Sequence, residues 1–177
     1  GDDSLALRLG IVLGALGLLA LVAWIQRTQI YGFDHTPSTP NAAGLPSVRV
    51  VRFRSEDGHE IAAWIAPPAA GKPLLLSFHG NFARIAGSAV RLAPLLERGH
   101  GLAMLLYRGS SGEGGVPSEA NFARDARALY DQLDALLGEV VPPERRVLHG
   151  FSLGSSVAAG LAKDRTAAGL VLEATFD

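Results

Sequence analysis

The chain contains no cysteine. A disulfide framework, a thiol nucleophile and a thiolate metal site are therefore excluded. The compartment stays open, because reducing and oxidising surroundings both tolerate a cysteine-free protein. An excess of either charge is also lacking. The net charge is −1 over 177 residues, so the basic footprint of a nucleic-acid-binding domain is missing and no nucleic-acid partner is expected. Five histidines are scattered without H-x-H or H-E-x-x-H spacing, and no metal site is expected. The glycine-rich stretch GSSGEGG at 109–115 fails both nucleotide-binding patterns. Counted from Gly112, the sixth residue is Pro117 rather than glycine, and Gly115 stands where a phosphate-binding loop has its lysine. No cofactor is expected, and no repeat at a solenoid period is present. What remains is a 48% hydrophobic chain of ordinary globular balance.

That hydrophobic content is unevenly spread. Residues 5–25 read LALRLGIVLGALGLLALVAWI, with Arg8 the one charge, and Leu9–Ile25 is an uncharged run of 17 residues. A membrane-spanning helix takes roughly 17–25 apolar residues. Trp24 and Tyr31 suit an interface, and Arg27 can snorkel. The run is read as an N-terminal single-pass anchor, with the side of the membrane undetermined. A cleaved signal peptide has a shorter apolar core, roughly 7–15 residues, and a small-residue cleavage site that is not evident here. A buried soluble helix is the third reading. Residues 26–47, rich in Pro, Ser, Thr and Asn toward their end, read as a linker.

From residue 48 to 177 the pattern is that of a domain. VRVVRFR (48–54) alternates as a half-buried strand, Asp57-Gly58 marks a turn, and EIAAWIA (60–66) returns. PLLLSFH (73–79), LAMLLY (102–107), RVLHGF (146–151) and GLVLEAT (169–175) are short apolar runs of buried strands. Helices are predicted over 83–98, interrupted by Pro94, over the stretch between Ser118 and Gly138, and over 153–163. Strand and helix alternate, so the expected fold is α/β: a doubly wound, mostly parallel sheet with helices on both faces.

One motif carries chemistry. Gly150, Ser152 and Gly154 form G-x-S-x-G between an apolar strand and a helix rich in small residues. A serine at the tip of such a turn needs glycine on either side, because a side chain there would collide with the neighbouring strand or helix. The hydroxyl is lifted over the strand end, where the N–H groups of the helix's first turn point outward. The HGN turn at 79–81, ending an earlier strand, supplies the complement. The Asn81 and Leu153 backbone N–H groups are the candidate oxyanion hole and Ser152 the candidate nucleophile. His79 and His149 are read as structural.

Three segments resemble the α/β-hydrolase superfamily, with the nearer likeness to membrane-anchored serine hydrolases of the ABHD type: FHGN (78–81), YRGSSGEGGVPSE (107–119) and GFSLGSSVA (150–158). The resemblance implies a hydrolase acting on an ester, thioester or amide, with lipids among the candidate substrates. It departs at Ser111, where the loop has a second glycine, at Glu113, where serine is usual, and at Phe82, where a small residue is common. In this fold the nucleophile is followed by an acid and then a histidine. Only Asp164, Glu173 and the terminal Asp177 supply carboxylates after Ser152, and no histidine follows it. The chain is thus expected to be a C-terminally incomplete hydrolase domain that turns over little or nothing as it stands. The alternative is a non-catalytic, membrane-tethered module in which Ser152 is only a turn residue.

Overall fold

A computed structural model describes residues 2–81 and 84–174. The chain divides into two compact units, Gly1–Gly32 and Phe33–Asp177. The first is helix α1 (Asp2–Ile30). Its span Asp3–Ile30, with mean hydropathy 2.4 in its most apolar stretch, is long and apolar enough to cross a membrane.

The second unit holds β1 (Arg49–Arg54), β2 (Glu60–Ala66), β3 (Leu74–Phe78), α2 (Ile85–Arg91), α3 (Ala93–Glu97), β4 (Gly101–Leu106), α4 (Glu119–Leu137), β5 (Arg146–Phe151), α5 (Leu153–Asp164) and β6 (Gly169–Glu173). The six strands form one sheet in the order β1-β2-β4-β3-β5-β6. From β4 to β6 neighbours run parallel, while β1–β2 and β2–β4 are antiparallel. The sheet is therefore mixed and mostly parallel. The sequence pattern misses the β2–β4 arrangement because β2 is buried on both faces, as a parallel core strand is.

Local signals set the helix ends. The Ser118 hydroxyl accepts the Asn121 N–H at 3.1 Å, and α4 closes on Gly138 in the left-handed region at φ 80°. Pro94 stands in the first turn of α3, and the helix predicted over 83–98 is two helices meeting at Leu92. Residue 83, at its predicted start, lies outside the described residues, as do Thr175 of the last predicted strand and Phe82. Side chains alternate across the sheet. Ala62, Trp64, Leu102, Met104 and Leu106 pack with Ile85 and Ala89 of α2, whereas α4 and α5 lie together against the sheet and each other.

The stretch expected to be a linker is not one. α1 runs to Ile30, and from Phe33 onward the chain is docked: Phe33 and Leu45 are buried, as is Val48 at the start of the domain. Leu45 and Val48 join the same core as Trp64 and Ile85. Burial of these spaced apolar residues outweighs the turn-forming composition that suggested a free tether.

Candidate active site

Ser152 follows β5 directly and caps α5, with φ 53° and ψ −119°. Left-handed backbone at a non-glycine residue costs on the order of 1–3 kcal/mol and persists only where its surroundings enforce it. Here they do. The Ser152 N–H donates to the Glu173 carbonyl at 2.8 Å, and the Ser155 N–H donates to the Ser152 carbonyl at 2.9 Å. The Ser155 hydroxyl reaches the Gly150 and Glu173 carbonyls at 3.1 and 3.2 Å.

The flanking glycines meet the steric demand read from the motif. A Cβ on Gly154 would stand 1.9 Å from the Phe78 carbonyl oxygen, and one on Gly150 would stand 2.4 Å from the Gly154 oxygen. The last residues of β3 and the first turn of α5 are thus in backbone contact. Ser152 itself is half-buried, and its side chain makes no capping hydrogen bond.

The HGN turn lies against this elbow. A Cβ on Gly80 would be 3.2 Å from the Ser152 Cβ and 3.3 Å from the Phe151 carbonyl. His79 is buried, and its Nδ1–H donates to the Gly80 carbonyl at 2.8 Å. The Tyr107 hydroxyl donates to the His79 carbonyl at 2.8 Å. In a trans peptide the C=O and N–H point oppositely, so holding the Gly80 oxygen to the His79 ring turns the Asn81 N–H away from that ring. Leu153, half-buried, opens α5, where first-turn N–H groups lack intrahelical acceptors. The structure thus brings the Asn81 turn and Leu153 to Ser152.

Burial pushes the His79 imidazole down to about 4 from an ordinary 6.5. The unfolded chain then binds more protons between those values, so this group's stabilising effect is complete above about pH 6.5 and is lost as pH falls toward 4. The shift corresponds to about 3 kcal/mol. Denaturant melts of the protein and of His79→Asn should show their stability difference shrinking by about that amount between pH 7 and pH 4. A constant difference would mean that His79 is solvated.

His149 belongs to a separate polar chain. Its Nε2–H donates to Glu173 Oε1 at 2.7 Å, leaving Nδ1 to accept the Ser77 hydroxyl at 2.8 Å, and Arg91 binds Glu173 Oε2 at 3.0 Å. The hydrogen bond from His149, with Arg91 in support, holds the Glu173 carboxyl below its ordinary range. Serine, histidine and carboxylate line up, but Ser77 is 2% exposed, so a substrate carbonyl has no access to its oxygen. In a catalytic triad the serine meets Nε2, whereas here it meets Nδ1. The chain is structural, and through the Glu173 carbonyl it supports the elbow. Asp164 lies elsewhere, 3.8 Å from Arg127. Among the described residues no group of side chains could hold a metal ion.

The segment 107–115 after β4 is fixed by charge. Arg108, buried, binds the Asp125 carboxylate through Nε and Nη2 at 2.8 and 2.6 Å and Asp57 at 2.7 and 2.9 Å. Its guanidinium holds the Asp57 carboxyl well below the usual carboxylate range. Ser111 has φ 53°, the left-handed region where glycine is favoured. Glu113 turns to Arg52 of β1 in a two-pronged pair with both distances 3.1 Å. These departures from the hydrolase loop are therefore absorbed locally.

A short turn carries a strained serine from a parallel strand into a helix, two glycines allow the approach, and a neighbouring strand's turn packs against the serine. An esterase of Pyrococcus furiosus, Pf2001, is similar in fold over 79% of the chain and 58% of its own length, with TM-score 0.60 at 18% identity. The domain has the α/β-hydrolase fold. No family model matches the sequence. The uncharacterized protein MT2364 of Mycobacterium tuberculosis is 35% identical over 173 residues, 94% of this chain and 59% of the relative. The alpha/beta hydrolase domain-containing protein WAV2 of Arabidopsis thaliana is 32% identical over 130 residues, 70% of this chain and 41% of the relative. The chain thus spans less than two thirds of the length of these relatives. What sequence reasoning missed around this elbow is the packing of Tyr107 and Phe33 on the HGN turn and the hold of Glu173. Only the YRG segment, already singled out, pointed toward any of them.

Proposed function

We propose that the full-length protein is a serine hydrolase anchored in a membrane by α1. Ser152 attacks the carbonyl carbon of an ester, thioester or amide while a base takes the hydroxyl proton. The tetrahedral oxyanion is held by the Asn81 and Leu153 N–H groups. Its collapse expels the leaving group with a proton and leaves an acyl-serine, which water then cleaves. Residues 153–177 hold no histidine to complete the nucleophile, acid, histidine order, and the relatives this chain matches are longer than it is. α1 has no polar face that would suit a surface helix, so it would hold the domain beside a bilayer, where lipid acyl groups are the substrates at hand.

The observation that carries this reading is the backbone of Ser152, φ 53° and ψ −119°, enforced by glycines whose Cβ atoms would meet backbone at 2.4 Å or less. The test is to treat the full-length protein with a fluorophosphonate and map the adduct by peptide mass spectrometry. A single adduct on Ser152 is expected. An intact, unlabelled Ser152 would favour the non-catalytic module.

A further inference from the structure

The segment joining α1 to the sheet grips both loops that meet at the elbow. Phe33, 5% exposed, lies in an aromatic cluster with centroid distances of 5.4 Å to Tyr107, 5.8 Å to Phe122 and 6.3 Å to His79. His79 and Tyr107 are the two side chains whose hydrogen bonds hold the carbonyls of the HGN turn. The next residue reaches further. The Asp34 carbonyl accepts the Ser111 N–H at 2.7 Å, where the loop takes its left-handed turn. The Asp34 carboxylate binds Arg84 Nε at 2.6 Å, just beyond the HGN turn, and accepts the Thr36 N–H at 2.8 Å. Pro37 then lies close over Gly112, where an added Cβ would stand 2.9 Å from its ring.

Resting on the hydrolase reading, we propose that Phe33 and Asp34 are positioning residues: the strap that follows the anchor sets the orientation of the oxyanion turn through His79, Tyr107 and Arg84. A segment needed only to connect anchor and domain requires none of these contacts. A segment needed only for stability could pack anywhere on the sheet. This one packs on the side chains that fix the two peptides of the turn, Tyr107 on the His79–Gly80 peptide and His79 on the Gly80–Asn81 peptide. A donor displaced by about 1 Å can cost on the order of 100-fold in rate, so modest loosening has a large kinetic effect.

In the full-length protein, Phe33→Ala should lower kcat for a small aryl ester by roughly 10–100-fold with KM within about twofold. Phe33→Leu, which keeps apolar bulk, should recover much of that loss. Asp34→Asn, which keeps shape but removes the charge facing Arg84, should give a smaller fall in kcat. Hydrogen exchange supplies a readout independent of turnover. In Phe33→Ala, amides of 79–81 and 107–112 should exchange faster while those of β3 and β5 stay protected. Unchanged kcat and exchange would overturn the proposal, as would acceleration spread equally over β3 and β5, the mark of general destabilisation. If the wild-type protein forms no Ser152 adduct, the hydrolase reading fails instead, and the exchange pattern still decides whether the strap holds the turn.

Discussion

Ser152→Ala in the full-length protein should abolish fluorophosphonate labelling and lower ester turnover by roughly 10⁶-fold, the scale on which serine hydrolases lose activity with their nucleophile. The substitution removes one oxygen. That oxygen makes no capping bond, and the hydrogen bonds that hold residue 152 in place use its backbone N–H and carbonyl. Alanine meets the same φ of 53° with the same Cβ, so the strain is unchanged. The protein should melt within a few degrees of wild type, and lost turnover will not be attributable to unfolding. The residual rate reports on the proposed oxyanion hole, which can still stabilise a tetrahedral species formed by water. Equal labelling of wild type and variant would place the nucleophile elsewhere and remove the hydrolase mechanism proposed for this elbow.

Gly154→Ala should be among the most destabilising single substitutions in the domain, costing more than about 4 kcal/mol. Its Cβ would be 1.9 Å from the Phe78 oxygen, 2.4 Å from the Phe78 carbonyl carbon and 2.8 Å from the His79 oxygen. All three are backbone atoms at the end of β3, which is paired on both sides, with β4 and β5. No rotamer relieves the contact, so α5 must move off the sheet, taking Leu153 and the elbow with it. Total stability is typically only about 5–15 kcal/mol, so such a loss should lower the melting temperature by more than about 10 °C. Gly160→Ala is the control. It lies in the same helix with open space around its position, and its helix propensity should gain up to about 1 kcal/mol. A Gly154→Ala protein melting beside the Gly160→Ala protein would mean that α5 does not approach β3 as closely as described.

Much of this molecule was legible from sequence. The runs EIAAWIA and RVLHGF occur as β2 and β5 with the bounds read from the pattern. The Ser118 and Gly138 caps close α4 as expected. The elbow was legible because its motif lies within five residues of chain, and Gly150 answers a steric demand set locally, by Gly154 and Ser155; the demand on Gly154 is set by the distant Phe78 and His79 carbonyls. The linker reading failed because Pro, Ser and Thr composition describes turns equally well in free and in docked segments. Phe33 and Leu45 show no periodicity by which their burial could have been foreseen.

Sequence by itself determined what local chemistry can encode: strands and helices through periodicity and capping, the strained serine through its glycines, and the absence of thiol, metal-binding and nucleotide-loop patterns. Tertiary structure decided what depends on which distant segments meet. It paired β2 antiparallel with β4, turned Glu173 to His149 and its carbonyl to Ser152, and seated Phe33 against His79 and Tyr107. Those contacts join residues 21 to 74 positions apart. Pairing and burial across such separations follow from the summed packing of the whole domain, and no short window of residues contains that sum.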